Sequence, residues 1–132
     1  MVNLLAKILL VSKKGEDNPQ VNLLIEKLSS PNNFYKSLNE LINESKIFYE
    51  RTYFSRIFKQ QVGCSMVSYF ISSKLRYSIS LIKFTNLSIA EIALQSGFNN
   101  VTYFNKIFKD TYNVSPSEYR KAYKNNILST IN

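Results

Sequence analysis

Apolar positions recur at helical spacing along most of this chain, and three stretches share one opening signal. In Ser37-Leu38-Asn39-Glu40, Ser88-Ile89-Ala90-Glu91 and Ser115-Pro116-Ser117-Glu118, a serine stands three residues before a glutamate. The serine oxygen can accept from the backbone N–H three residues on, while the glutamate reaches back to the serine N–H, so each set predicts a helix start. Pro116 adds a pre-set first helical residue to the third. Behind the first start, Leu38, Leu41 and Ile42 are expected to be buried; behind the second, Ile89, Ile92 and Ala93 fall at i, i+3 and i+4. Gly97 then stands where a left-handed residue ends a helix. A further helix is predicted from about Asn100 to Thr111, with Phe104, Ile107, Phe108 and Thr111 on one stripe and Thr102, Asn105, Lys106 and Lys109 on the opposite one. A capped helix, a glycine turn and a second helix with a polar-basic outer face read as a helix-turn-helix DNA reader.

The remaining stretches predict supporting elements. Leu4, Leu5, Ile8 and Leu9 give an amphipathic turn or two, and Gly15 to Pro19 a turn. Val21, Leu24, Ile25 and Leu28 form a second apolar stripe, ended by the breaker cluster Ser29 to Asn33, and are expected to lid the first core. Ser65 to about Lys83 contains no Gly or Pro, and Met66, Tyr69, Phe70, Ser73 and Arg76/Tyr77 recur at helical spacing. Such a helix would span roughly 27 Å and hold two units in a fixed relation. The tail is expected to fray beyond Lys124.

An internal repeat sets the organisation. Thr52 to Phe70 placed over Thr102 to Arg120 matches at eight of nineteen positions without a gap, as a duplicated supersecondary unit would. Phe54, Ile57 and Phe58 match Phe104, Ile107 and Phe108 on the core stripe; Thr52, Ser55, Arg56 and Lys59 match Thr102, Asn105, Lys106 and Lys109 on the outer one. Core repetition alone would mean a repeated fold. A repeated short-polar and basic outer stripe means a repeated contact surface as well.

Charge and composition narrow the partners. The chain of 132 residues carries a net charge of +8, distributed unevenly: residues 1–50 hold six basic and six acidic residues, residues 51–109 eight basic and one acidic, residues 110–132 three and two. The basic excess lies across the helix pairs, as a phosphate-binding surface requires, although a solvated basic face would look the same by charge alone. Three Gly and three Pro disfavour an all-β sandwich with many turns. One cysteine, Cys64, cannot form a disulfide within the chain, and with no histidine a Cys/His zinc site cannot be built. The first ten residues include Lys7 and fall short of the roughly 20 that span a bilayer, so neither membrane anchor nor secretion is expected and the cytoplasm fits best.

The residues resemble the AraC/XylS-type transcription regulators, specifically their carboxy-terminal DNA-binding domain. The match runs from about Ser37 to Arg120 and is strongest from Leu87 on, where Ile92-Ala93, Gly97-Phe98, Tyr103-Phe104, Phe108-Lys109, Pro116 and Tyr119-Arg120 stand in the family's order and spacing. The resemblance implies an all-α fold of two helix-turn-helix units joined by a long linker helix, with extra amino-terminal helices. The expected division is an amino-terminal helical extension (1–36), a first unit (37–64), the linker (65–84), a second unit (85–124) and a frayed tail (125–132). Each second helix would enter successive major-groove segments of double-stranded DNA. Carried over by position, the DNA contacts are Arg51, Thr52, Ser55, Arg56 and Lys59 in the first unit and Asn100, Val101, Thr102, Asn105, Lys106 and Lys109 in the second. Lys59 and Lys109, a turn further along, suit phosphate. RNA polymerase is a further candidate partner. No large ligand domain precedes the match, which argues against effector control on this chain, and no cofactor is implied. Dimerisation is left open, since two readers in one chain make it unnecessary for DNA contact while the first apolar stripe offers a surface for it.

The first unit departs from the pattern. From capping serine to repeated threonine is 15 positions in the first unit and 14 in the second. Aligned at the threonine, Ile47-Phe48 stand where the second unit has Gly97-Phe98, so the turn lacks glycine, and Asn43 takes the place of Ala93, a position that packs under the second helix. The first helix is therefore expected to be tilted or to bind mainly backbone.

By chemistry, Arg56 is the best base reader, because guanidinium pairs bidentately with guanine O6 and N7; the competing assignment is a surface residue paired with Glu50 or another acid. Asn105 suits adenine, and Thr102 or Val101 a thymine methyl. Lys74, Arg76 and Lys83 divide between phosphate contact and plain solvation, and Tyr53 and Tyr103 are expected to pack rather than stack on bases. Without histidine, and with Cys64 at a helix entry, the usual acid–base and nucleophile sets cannot be assembled, so no enzyme is expected. The rival reading is a protein-interaction or antagonist module that keeps the fold and binds another regulator or RNA polymerase.

Overall fold

The computed structural model describes residues 17–131, with side chains as far as residue 127. The stripe expected at Leu4 to Leu9 lies outside the described residues. Among those described, the elements are all helical: α1 (Pro19–Ser29), a 3₁₀ turn (Pro31–Asn33), α2 (Leu38–Glu44), α3 (Arg51–Val62), α4 (Met66–Phe84), α5 (Ile89–Gln95), α6 (Val101–Tyr112) and α7 (Pro116–Ile131). They divide into two compact units between Ser73 and Lys74, inside α4.

In the first unit, the Asn18 side chain accepts from the Gln20 amide at 2.9 Å and the Val21 amide at 3.3 Å, and Pro19 takes the first helical position, so α1 starts sharply. Val21, Leu24 and Leu28 are wholly buried, and α1 packs against α2 and α3. The stripe expected to lid the first core is thus turned into it. Both halves of the Ser37 capping box form, with Glu40 N to Ser37 Oγ at 3.2 Å and Ser37 N to Glu40 Oε2 at 2.6 Å. Leu41 and Ile42 are buried behind it and Leu38 half-buried.

The second unit repeats these devices. Glu91 N meets Ser88 Oγ at 3.1 Å and Ser88 N meets Glu91 Oε2 at 3.2 Å, with Ile92 and Ala93 buried behind. Helices α3 and α6 are both twelve residues long and both stop on a left-handed residue, Gly63 at φ 93° and Asn113 at φ 69°. Ser65 and Ser115 then cap the following helices, each accepting an amide three residues on at 3.1 Å. The rings of Phe58 and Tyr69 meet edge to face at 6.0 Å, and those of Phe108 and Tyr119 at 5.8 Å.

The repeat extends further back than residue identity does. In α1 the buried positions are Val21, Leu24 and Leu28; in the second half of α4 they are Leu75, Ser78 and Ile82, at the same i, i+3, i+7 spacing. Each unit thus has a supporting helix, a helix-turn-helix pair and a closing helix, and α4 closes the first while supporting the second. Its first half buries Met66, Tyr69, Phe70 and Ser73, then the buried stripe changes. A continuation to Arg76 and Tyr77 was the expectation; Arg76 is exposed and Leu75 takes the buried place. Helix α7 also outruns its expected fraying point at Lys124, because nothing between Ser117 and Ile131 is a Gly or Pro that would end it.

Candidate nucleic-acid interface

The outer faces of α3 and α6 carry the residues singled out by the repeat. Each helix turns its aromatic stripe inward, with Phe54, Phe58, Phe104 and Phe108 buried. On the other side Arg51, Thr52, Arg56 and Lys59 of α3 are exposed and Ser55 half-buried; Asn100, Thr102, Asn105, Lys106 and Lys109 of the second unit are exposed and Val101 half-buried. Each set therefore lies together on one helix face and its preceding cap. The ion pairs of the described residues, Lys36–Glu44 at 2.9 Å and Lys27–Glu44 at 3.9 Å, use none of these cations.

The two helix entries differ chemically. Asn100 caps α6 by accepting from the Tyr103 amide at 2.9 Å, a neutral oxygen on the positive end of the helix. Glu50 does the same for α3 with two bonds, to the Thr52 and Tyr53 amides at 3.0 Å each, and these hold its carboxyl below the usual glutamate range. The Arg56 charge adds only a minor pull on Glu50, and the guanidinium lies over the Tyr53 ring at 5.6 Å, away from the surface ion pair that was the competing assignment. Arg51 Nη1 donates to Asn39 Oδ1 at 3.0 Å, tying the start of α3 to α2.

The turns correct the alignment made at the threonine. Ser37 and Ser88 begin helices of equal length, so Ile42 corresponds to Ala93 and both are buried, while Asn43 corresponds to Leu94 and both are exposed. Asn43 does not sit beneath the second helix. The left-handed residue is Lys46 at φ 49°, matching Gly97 at φ 89°, so the first turn lacks glycine as expected but pays for it at Lys46 and not at Ile47. The extra residue falls after that point. In the second unit the Phe98 ring lies 6.3 Å from Tyr103 and 5.1 Å from Phe104; in the first, Tyr49 supplies the ring, 5.6 Å from Tyr53 and 6.2 Å from Phe54. Tyr53 and Tyr103 thus pack by one side, as expected, and keep the other exposed.

Two basic residues are spent on the frame. Lys74 Nζ donates to the Gly97 carbonyl at 3.2 Å and lies 5.8 Å from the Phe98 ring centroid, and burial pushes its pKa down. It is half-buried and holds the turn, which departs from the plain solvation that was one of its two expected roles. Arg120 donates to the carbonyls of Leu87 at 2.6 Å, Ile82 at 3.4 Å and Thr85 at 3.4 Å, one in the last turn of α4 and two in the segment that follows it. Lys83 Nζ lies over the Tyr123 ring at 5.4 Å. Sequence reasoning missed the Glu50 cap and the Tyr49 ring; the former was open to it, as a Glu before a polar helix start.

A family model described as a helix-turn-helix domain matches residues 45–122. The chain belongs to this family, the AraC-type helix-turn-helix proteins. Among AraC-type relatives, it is 32% identical over 108 residues to the HTH-type transcriptional regulator MtrA of Neisseria gonorrhoeae, covering 82% of this chain and 35% of that protein. The carboxy-terminal domain of AraT, a response regulator from Geobacillus stearothermophilus, aligns with a TM-score of 0.72 at 25% identity, over 82% of this chain and 88% of that one. The AdpA DNA-binding domain, solved with a target DNA, aligns at 0.69 and 20% identity, over 83% and 96%, and bears on the fold alone. The chain spans about a third of the length of such curated relatives as MtrA. No described helix is long and apolar enough to cross a membrane.

Proposed function

We propose that this chain is the duplex-DNA-binding part of a cytoplasmic transcription regulator and that α3 and α6 enter successive major-groove segments. The observation that carries this reading is the repetition, fifty residues apart, of an exposed polar-basic stripe on two helices that share core, cap positions and left-handed stops. Bases are read by Arg56, Asn105, Lys106 and Thr102, and the positive ends of the chain's outer faces, Lys59 and Lys109 among them, meet phosphate. Helices α3 and α6 do unequal work. Glu50 places a carboxylate at the entry of α3, where a phosphate backbone is repelled, whereas Asn100 leaves the entry of α6 neutral. The second unit is the main reader.

The test is titration of duplexes selected from a random pool at two salt concentrations. The expected result is sequence-dependent affinity that falls steeply with salt as counterions are released. Equal affinity for every sequence overturns specific regulation. Absence of binding even at low salt favours the interaction module.

A further inference from the structure

The extra residue of the first turn leaves one side chain out of the fold. After the left-handed Lys46, Ile47 is half-buried as the inner residue of the turn, and the Tyr49 ring lies against Tyr53 and Phe54. Phe48, between them, is 88% exposed, the most exposed large apolar side chain among the described residues. The second unit holds Asn99 in the corresponding place, before its cap. Phe48 is nonetheless fixed at its backbone, because its amide donates to Gln20 Oε1 on α1 at 3.0 Å. An apolar ring is thus presented to water from an anchored point two residues before the cap of α3.

We propose that Phe48 is a specificity residue of the first unit, making apolar contact with the C5-methyl of a thymine at the edge of the groove that α3 enters. The inference rests on the DNA-binding reading above and names a contact within it. Phe48 precedes Arg51 and Thr52, the residues at the N-terminal end of α3, and that end of a recognition helix is the part that reaches base edges. Lys46, Arg51 and Arg56 stand in the same stretch and are all exposed, so the ring is set among cations that suit phosphate. Glu50 stands among them as a carboxylate that accepts from the Thr52 and Tyr53 amides. A phenylalanine has no hydrogen-bonding group to read a base edge, and the thymine methyl is the apolar mark the major groove offers.

The experiment replaces each thymine of a selected high-affinity duplex by deoxyuridine, one at a time, and measures binding of the intact chain and its Phe48→Ala and Phe48→Leu variants. At one position, loss of the methyl should weaken the unaltered chain roughly threefold to fivefold, the effect of one buried methyl. Phe48→Ala should bind the thymine and deoxyuridine duplexes alike, and Phe48→Leu should restore part of the difference. A Phe48→Ala loss equal on both duplexes, or no position coupled to Phe48, overturns the contact while leaving specific binding intact. A variant that binds unchanged but no longer supports transcription assigns the ring to a protein partner and also overturns it. If the unaltered chain shows no preference among duplexes, the DNA-binding reading fails first.

Discussion

The guanidinium of Arg120 reaches back 33 residues to the carbonyl of Leu87, at 2.6 Å from Nη1, and its other nitrogens meet the carbonyls of Ile82 and Thr85. One side chain of α7 thereby fixes the segment in which α4 ends and the second helix-turn-helix begins. Arg120→Ala should lower the stability of the second unit by roughly 1.5–3 kcal/mol, the range for hydrogen bonds to a charged group. Arg120→Lys should recover only part, since an ammonium lacks the planar fork that serves several acceptors at once. Urea unfolding followed by circular dichroism measures both, and an Arg120→Ala protein as stable as its parent would show the clamp to be idle.

The proposed inequality of the two readers gives a ranking. Replacing Asn105 and Lys106 together by Ala should cost more specific affinity than replacing Ser55 and Arg56, with each lost bidentate base contact worth about 1–3 kcal/mol. Competition binding against the selected duplex decides it, and the reverse order would make α3 the main reader.

Glu50 links the two subjects of stability and binding. Its folded pKa lies below the ordinary 4.5, so its contribution is present at neutral pH and is lost as pH falls through that lowered value. Glu40, capped onto Ser37, behaves in the same direction. Acid titration of the melting temperature should therefore show a decline below about pH 4.5 that is shallower in Glu50→Asn, which keeps a capping oxygen without the charge. The same substitution should strengthen binding to any duplex at low salt, an effect that fades as salt is raised. Unchanged low-salt affinity would mean that no phosphate passes near the entry of α3.

Lys46 carries a left-handed backbone that its second-unit counterpart meets with glycine. Lys46→Gly should stabilise the first unit by a few tenths to about 1 kcal/mol, the relief of Cβ crowding offset by the freer unfolded chain. Gly97→Ala should do the opposite in the second unit by a similar or larger amount. Chemical denaturation of the two variants side by side tests the pair, and a destabilised Lys46→Gly would show that the lysine side chain serves the turn.

Helix starts were legible because a capping serine and its glutamate lie three residues apart in sequence and in space. The core stripes of α3 and α6 were legible because a single amphipathic period describes them. Asn43 was misplaced because one inserted residue lies between two well-marked helices, and identity alone cannot say on which side of the turn to put it; the backbone puts it after Lys46. Ser73 to Tyr77 were hard for a different reason. A helix that is buried on one stripe and then on another has no single apolar period, and Leu75, Ser78 and Ile82 lie among serines that hide the second. The role of α1 was hidden too, since Val21, Leu24 and Leu28 share spacing but no residue with their counterparts. The DNA-facing assignments rest on exposure and residue chemistry, which sequence and fold supply equally.

The closing helix of one unit and the supporting helix of the next are the same helix, so the molecule is a chain of two cooperative elements with a covalent nearest-neighbour term. Melting of the first unit strips cover from Met66, Tyr69 and Phe70 and leaves the front of α4 to hold itself helical at the cost of an exposed apolar face. A fragment beginning at Leu87 would keep every motif of the second reader and lack Leu75, Ser78 and Ile82, the wall on which that reader is built. A substitution that unfolds the first unit is thus expected to reach the second through the helix they share.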